Sequence, residues 1–249
     1  MSRCRARLGN VNRIQEVPAL LVGFDTETTG LSTADDEAIS YGFAVYRGGV
    51  LDELNQFFAV PARPMSAGAQ RVHGISLSTL KKMLDAGDAL AASDAAKLAA
   101  LKLASYAADG AVFVGSNPLF DFNMLESTLR RHGHGGLRPF GVAPPSITIV
   151  DVVRHDVMIE PRSATRPRRG LAQLCQYYGV APGNHDAAED ARAAAEVFMA
   201  QIERNVQMGK TAIDNGMGVS KQGGVDLNRR DQRLENATIL HRLLRMKRR

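Results

Sequence analysis

The apolar run Ala19-Leu20-Leu21-Val22-Gly23-Phe24 ends in Asp25-Thr26-Glu27-Thr28-Thr29-Gly30-Leu31, and this junction constrains the chain more than any other. A short apolar run closed by a Thr-Gly turn reads as a buried strand. Residues two apart on a strand share a face, so Asp25 and Glu27 project together from its end. Like charges held that close repel, and in a partly dry cleft they stay ionised only with positive help. A divalent cation supplies that help. A solvated loop fits the same local residues, so the reading depends on partners from elsewhere in the chain.

Two later segments offer such partners. Gly115-Ser116-Asn117-Pro118-Leu119-Phe120-Asp121 follows the apolar stretch Ala111-Val112-Phe113-Val114. Asn117 suits an N-cap and Pro118 the first helical position, so a strand should feed a helix whose first turn carries Asp121. His185-Asp186-Ala187-Ala188-Glu189-Asp190 heads an Ala-rich helix reaching about Glu203. Asp186 with Glu189 three residues on has the form of a capping box, which places His185 just outside the helix and Asp190 in its opening turns. A single histidine before a helix is ordinarily a surface residue, and an acid in a first turn is ordinarily there for the helix dipole. Here both join three further acids at element ends.

That constellation resembles the DEDD family of 3′-5′ exonucleases, the DnaQ-like enzymes that include the proofreading epsilon subunit of bacterial replicative DNA polymerase. The first family motif matches Asp25-x-Glu27, the second Asn117-x-x-x-Asp121, and the third His185 with Asp190. Histidine in the third motif resembles the His-type branch. Gln70-Arg71-Val72-His73-Gly74-Ile75-Ser76 is similar to the His-Gly element between the first two motifs of epsilon-like members. The likeness runs from Ala19 to about Arg204, with the motifs in the family's order.

The resemblance implies an α/β, RNase H-like fold with a mixed five-stranded sheet flanked by helices, and a two-metal hydrolysis of phosphodiester bonds. The chemistry agrees. Two metals about 3.5–4 Å apart make a water nucleophilic and steady the leaving oxygen, and magnesium or manganese prefers oxygen ligands. Asp25 would bridge both ions, Glu27 and Asp190 would complete the site that activates water, and Asp121 would support the second ion. His185 would be the general base, since imidazole titrates near pH 6.5. By the same resemblance, Thr28 and Leu31 would meet the terminal nucleotide, Leu31 as a wedge against its base. His73 and Asn117 would stand near the terminal sugar and phosphate.

The rest of the chain reads as strands at Ala19–Thr26, Ala38–Arg47, Val50–Val60, Ala111–Gly115 and Ile147–Val150. Helices are expected around His73, at Leu77–Leu84, from about Ala89 to Ala108, through Arg131, and at Val152–Met158, Leu171–Tyr178 and Ala187–Arg204. This gives a basic N-terminal arm over 1–18, an exonuclease domain over 19–204, a Gly-, Asn- and Gln-rich linker over 205–228 and a basic amphipathic tail over 229–249. Asn228–Arg249 carries eight basic and two acidic residues, and Met1–Arg13 carries four arginines and no acid. The total of +5 therefore conceals an acidic middle of −5, as a metal-binding cleft permits. The loop Pro161–Arg169 adds arginines that would suit phosphates.

No apolar run approaches the 18 or so residues that span a bilayer. The arginine-rich N-terminus lacks the apolar segment of a signal peptide, and only Cys4 and Cys175 are present, which fits a reducing cytoplasm. The function expected is removal of nucleotides from single-stranded DNA 3′ ends, in proofreading or repair. The tail would dock a DNA polymerase subunit or nucleic acid. An exoribonuclease shares nearly all of these features, because nothing here reads a 2′-hydroxyl decisively. A catalytically idle nucleic-acid or polymerase-binding module would have no use for the acids.

Overall fold

The computed structural model describes residues 16–142, 147–159 and 170–214, with side chains as far as 207. Its elements are β1 (Leu20–Thr28), β2 (Ala38–Arg47), β3 (Val50–Val60), α1 (Ala67–His73), α2 (Leu77–Ala86), β4 (Ala89–Ala91), α3 (Ala92–Ala108), β5 (Val112–Gly115), α4 (Pro118–Arg131), β6 (Thr148–Asp151), α5 (Val152–Ile159), α6 (Leu171–Tyr178) and α7 (Ala187–Asp214). The strands form one mixed sheet in the order β4-β3-β2-β1-β5-β6. β1 pairs antiparallel with β2 and β2 with β3, while β3–β4, β1–β5 and β5–β6 are parallel. This is an α/β fold of the RNase H-like kind, with six strands where the sequence suggested five.

The extra strand is β4. Ala89-Leu90-Ala91 runs into the alanine-rich α3 without a breaker, so locally it reads as the helix's first turn. Pairing of Phe58–Val60 with Ala89–Ala91 makes it a strand instead. The last helix also differs. It continues to Asp214 rather than stopping near Arg204, so the stretch read as a linker begins as helix. The arm over 1–15, the Pro161–Arg169 loop, the remaining linker and the basic tail lie outside the described residues. No helix among the described residues is long and apolar enough to cross a membrane.

The strand period divides the core in two. Leu20, Val22 and Phe24 of β1 join Tyr41, Phe43 and Val45 of β2 on the face covered by α3 and α4. Phe24 packs against Phe43 and edge-on to Phe122, and each such buried aromatic contributes roughly 1.5–3 kcal/mol. Leu21 of β1 and Ala44 and Tyr46 of β2 face the opposite way, under α7 with α5 and α6 beside it.

Two strand glycines set how close α7 lies. A Cβ on Gly23 would fall 2.1 Å from the Ala191 carbonyl oxygen, and one on Gly42 would fall 2.1 Å from the Ala187 carbonyl carbon. No side chain fits there, so the backbone of α7 rests directly on β1 and β2. A glycine inside a strand pattern signals such an approach. Asp25 and Glu27 follow Gly23 on the same face, so this contact brings the start of α7 over the acidic end of β1.

Candidate active site

β1 outruns its parallel partner. Its pairing with β5 stops at Gly23↔Val114, and the chain then turns from Gly115 into α4. Thr26 thus sits past the end of β5, and Asp121 from the first turn of α4 caps it. One carboxylate oxygen of Asp121 accepts from both the Thr26 backbone N–H at 3.0 Å and the Thr26 hydroxyl at 2.7 Å. The other oxygen is not spent on either. Open α/β sheets bind ligands where strand connections diverge outside their carboxyl ends, and the divergence of β2 and β5 around β1 is such a place.

The helix start at Pro118 is as expected, but Asn117 holds it differently. Asn117 is in the left-handed region (φ 58°) and its side chain makes no capping bond. Its backbone N–H is directed at Asp151 across 3.4 Å, and the residue does not line the cleft.

The third motif arrives on α7. Asp186 accepts from the Glu189 N–H at 3.1 Å, which is half of a capping box; the Glu189 side chain turns instead to Arg192. His185 precedes the helix, and its N–H donates to an Asp190 oxygen at 3.1 Å. Gly183 admits this turn, since a Cβ there would fall 2.3 Å from the Asp190 nitrogen and carboxylate. Ligand atoms of Glu27, His185 and Asp190 lie within 4.8 Å of one another.

A cleft of about 500 Å³ results, lined by Asp25, Glu27, Asp121, His185 and Asp190 together with Thr26, Ser116, Phe120, Cys175 and the loops beside α6 and α7. Among the described residues its wall holds four carboxylates and no lysine or arginine. The consequence is electrostatic. Burial raises the Asp25 carboxyl well above its usual range, and Asp121, Asp190 and Glu27 raise it further. Glu27 is pushed up to about 8, first by burial and then by Asp190, Asp121 and Asp186. Asp121 rises to about 7 by burial, against the lowering effect of its Thr26 bonds. Asp190 is raised by burial while His185 pulls it down. Acids arranged this way would be neutral in part until a cation joins them.

The remaining predicted residues are less central. The Thr28 hydroxyl is committed to the Gly30 carbonyl at 2.7 Å. Leu31 stands 87% exposed. His73 closes α1 and accepts from the Ile75 N–H through Nδ1 at 3.0 Å. Burial lowers its pKa, and the Thr28 carbonyl opposes that shift, although Nε2 finds no partner at hydrogen-bonding geometry. His185 also acts on it, so His73 is in the electrostatic reach of the cleft. Phe120, Ser116 and Cys175 gave no signal in the sequence beyond proximity to a motif.

Known proteins share this frame. A PolC-type DNA polymerase III of Caldanaerobacter subterraneus subsp. tengcongensis is 26% identical over 209 residues, covering 84% of this chain and 13% of the polymerase. That of Lacticaseibacillus paracasei is 26% identical over 196 residues, covering 78% and 12%. The chain therefore spans about an eighth of the length of these curated relatives. Among solved structures, a moderately thermophilic exonuclease I from Methylocaldum szegediense superposes with a TM-score of 0.59 at 18% identity, covering 80% of this chain and 43% of that one. E. coli exonuclease I in complex with a dT13 oligonucleotide gives 0.53 at 18% identity, covering 78% and 44%. The family model RNase_T, described as exonuclease, matches residues 22–198, a span that runs from within β1 into α7 and includes Asp25, Glu27, Asp121, His185 and Asp190, and the chain belongs to that family.

Proposed function

We propose that the protein is a divalent-metal-dependent 3′-5′ exonuclease acting on single-stranded DNA ends, in proofreading or repair, in the cytoplasm. The observation that carries this reading is the cleft itself, in which four carboxylates meet a histidine with no lysine or arginine among the described lining residues. The relatives, a DNA polymerase and an exonuclease I with a bound dT13 oligonucleotide, support DNA over RNA.

The donor set fits magnesium or manganese. Carboxylates whose pKa values are raised by one another gain most from an added cation, and oxygen ligands are those hard ions prefer. Asp25, Glu27, Asp190 and Asp121 would hold two ions, which lower the pKa of water and offset charge on the leaving oxygen. His185, exposed at the rim beside Glu27 and Asp190, accepts the proton of the attacking water at a ring nitrogen. As the new P–O bond forms, the bond to the 3′ oxygen breaks, leaving a shortened strand with a 3′-hydroxyl and a free mononucleotide. Leu31, with its side chain in solvent, would wedge against the terminal base, and Thr28, His73 and Asn117 would stand near the last nucleotide from outside the cleft wall. The basic tail over 229–249 is the segment proposed to meet a polymerase subunit or longer nucleic acid.

The test uses 5′-labelled DNA and RNA oligomers of matched sequence. A ladder shortening from the 3′ end of DNA, abolished by EDTA and restored by Mg²⁺ or Mn²⁺, is expected. Release of the labelled 5′ nucleotide first, or full activity in EDTA, overturns the proposal. Faster loss of RNA than DNA would turn it into an exoribonuclease.

A further inference from the structure

His185 is held in a backbone conformation that residues other than glycine seldom adopt. Asn184 (φ 57°) and His185 (φ 62°) are consecutive left-handed residues, neither of them glycine. Such pairs persist only where the surroundings fix them. Most of the fixing comes from within the turn: His185 N–H to Asp190, Glu189 N–H to Asp186, the Asp190 N–H to the Asp186 carbonyl at 2.7 Å, and the Asp186 N–H to the Gly183 carbonyl at 3.3 Å. These bonds shape the turn but do not attach it to the sheet.

Gln56 of β3 does. One end of its amide lies 2.8 and 3.0 Å from the two carboxylate oxygens of Asp186, and the other lies 2.8 Å from the buried Ser40 hydroxyl of β2. Amide nitrogen and oxygen are told apart by their partners. An oxygen facing a carboxylate would repel it, and the two short contacts to Asp186 outweigh the 3.4 Å approach of the Ala188 N–H to the same end of the amide, so the nitrogen donates to Asp186 and the oxygen accepts from Ser40. Gln56 also stands opposite Gly42, the residue that lets Ala187 touch the sheet. Ser40, Gly42 and Gln56 thus form a seat for the first residues of α7.

We propose that Gln56 is a positioning residue for the reaction: by tying Asp186 to the sheet it holds the strained turn so that His185 faces Glu27 and Asp190. This rests on the reading of His185 as the base. The alternative is a helix-cap accessory that contributes only stability.

The experiment is a double-mutant cycle on the full chain with a short single-stranded DNA oligomer and Mg²⁺. Gln56→Met keeps the side chain's length and removes both bonds. It is expected to lower kcat by about tenfold, a part of the ~10²–10⁴-fold an acid–base group supplies, with KM changed by less than about twofold. Made in a His185→Ala protein, the same substitution should change kcat by less than about twofold, because the group it positions is gone. Equal losses in both backgrounds, or no loss in the wild-type background, overturn the role of Gln56 while leaving the functional reading intact. Wild-type turnover in His185→Ala alone overturns the functional reading itself. Should Gln56→Met fold poorly, the exchange Gln56→Glu with Asp186→Asn carries the test, since amide and carboxylate trade places across the same gap. Recovery of most of the kcat lost in Gln56→Glu alone is expected, and no recovery overturns the proposal.

Discussion

Glu27 and Glu37 stand at the two ends of the loop that joins β1 to β2, 7% and 1% exposed. Around Glu37 the fold supplies partners. Arg131 of α4 approaches one oxygen at 3.6 Å, His132 approaches the same oxygen at 3.2 Å, and the Ala62 N–H donates to the other at 2.7 Å. Arg131 then donates to the carbonyls of Thr33 and Ala34, so one buried acid ties together the loop, the end of α4 and the chain beyond β3. Around Glu27 the fold supplies more acids. Its neighbours in charge are Asp190, Asp121 and Asp186, and its carboxyl rises to about 8. Burial of a carboxylate is tolerable when it is paired, and the chain does pair it where only structure is at stake. In the cleft, the same chain gathers carboxylates with no cationic side chain among the described lining residues, the arrangement that the proposed metal ions would balance.

The comparison breaks first if the two acids prove interchangeable in their effects. Asp25→Ala or Glu27→Gln should lower exonuclease rate by roughly 10³-fold or more, the scale on which groups steadying developing charge act, with melting temperature held or raised. Glu37→Ala should do the reverse, costing about 3 kcal/mol because the part-buried Arg131 and His132 lose their carboxylate partner, while turnover well below the melting temperature stays near wild type. Thermal melts and single-turnover assays on the three variants decide it. A stability loss in Glu27→Gln equal to that in Glu37→Ala would erase the distinction.

Geometry sharpens it next. Gly42→Ala places a methyl group against the Ala187 backbone, so α7 must shift. Overpacking of this sort costs typically 1–3 kcal/mol, and because α7 carries Asp190 and His185, activity should fall further than stability predicts. A variant with lowered melting temperature and wild-type turnover would show that the seat of α7 does not set the cleft.

The smallest effect is one of pH. Glu27 has an ordinary value of 4.5 and is raised to about 8, and Asp121 goes from 3.8 to about 7. A raised acid binds its proton more tightly folded than unfolded, so it favours the folded state at low pH, and that contribution is lost as pH rises through the folded value. Without divalent ions the melting temperature should therefore decline between about pH 4 and 8, and Glu27→Gln should flatten part of that decline. Added Mg²⁺ should raise the melting temperature more at pH 8 than at pH 5.5, since the ion competes with the protons. An equal Mg²⁺ effect at both pH values would mean that the buried acids are not its ligands.

Much of this was legible from local pattern. β2, β3, α4 and α6 lie where periodicity, Gly48-Gly49 and Pro118 say they should, because strand alternation and helix start signals are properties of neighbouring residues. Asp25, Glu27, Asp121, His185 and Asp190 were singled out by motif spacing and family resemblance, and the structure brings all five to one cleft. Other features have no local trace. Ala89–Ala91 is a strand only because β3 pairs with it, and helix propensity alone favours the opposite. Asn117 was expected to cap with its side chain and instead adopts a left-handed backbone.

What the sequence determined by itself is which groups can do chemistry and on which kind of element each stands, since the periods of 2.0 and 3.6 and the capping rules act over a few residues. Tertiary structure alone decided which of them meet. Gln56 reaches Asp186, Gly42 admits Ala187, and Glu37 rather than Glu27 receives Arg131, although each partner lies far away in the chain. The physical reason is that burial and charge act through space: a carboxylate is a candidate metal ligand or a structural anchor according to what the packed sheet and helices bring within a few ångströms of it.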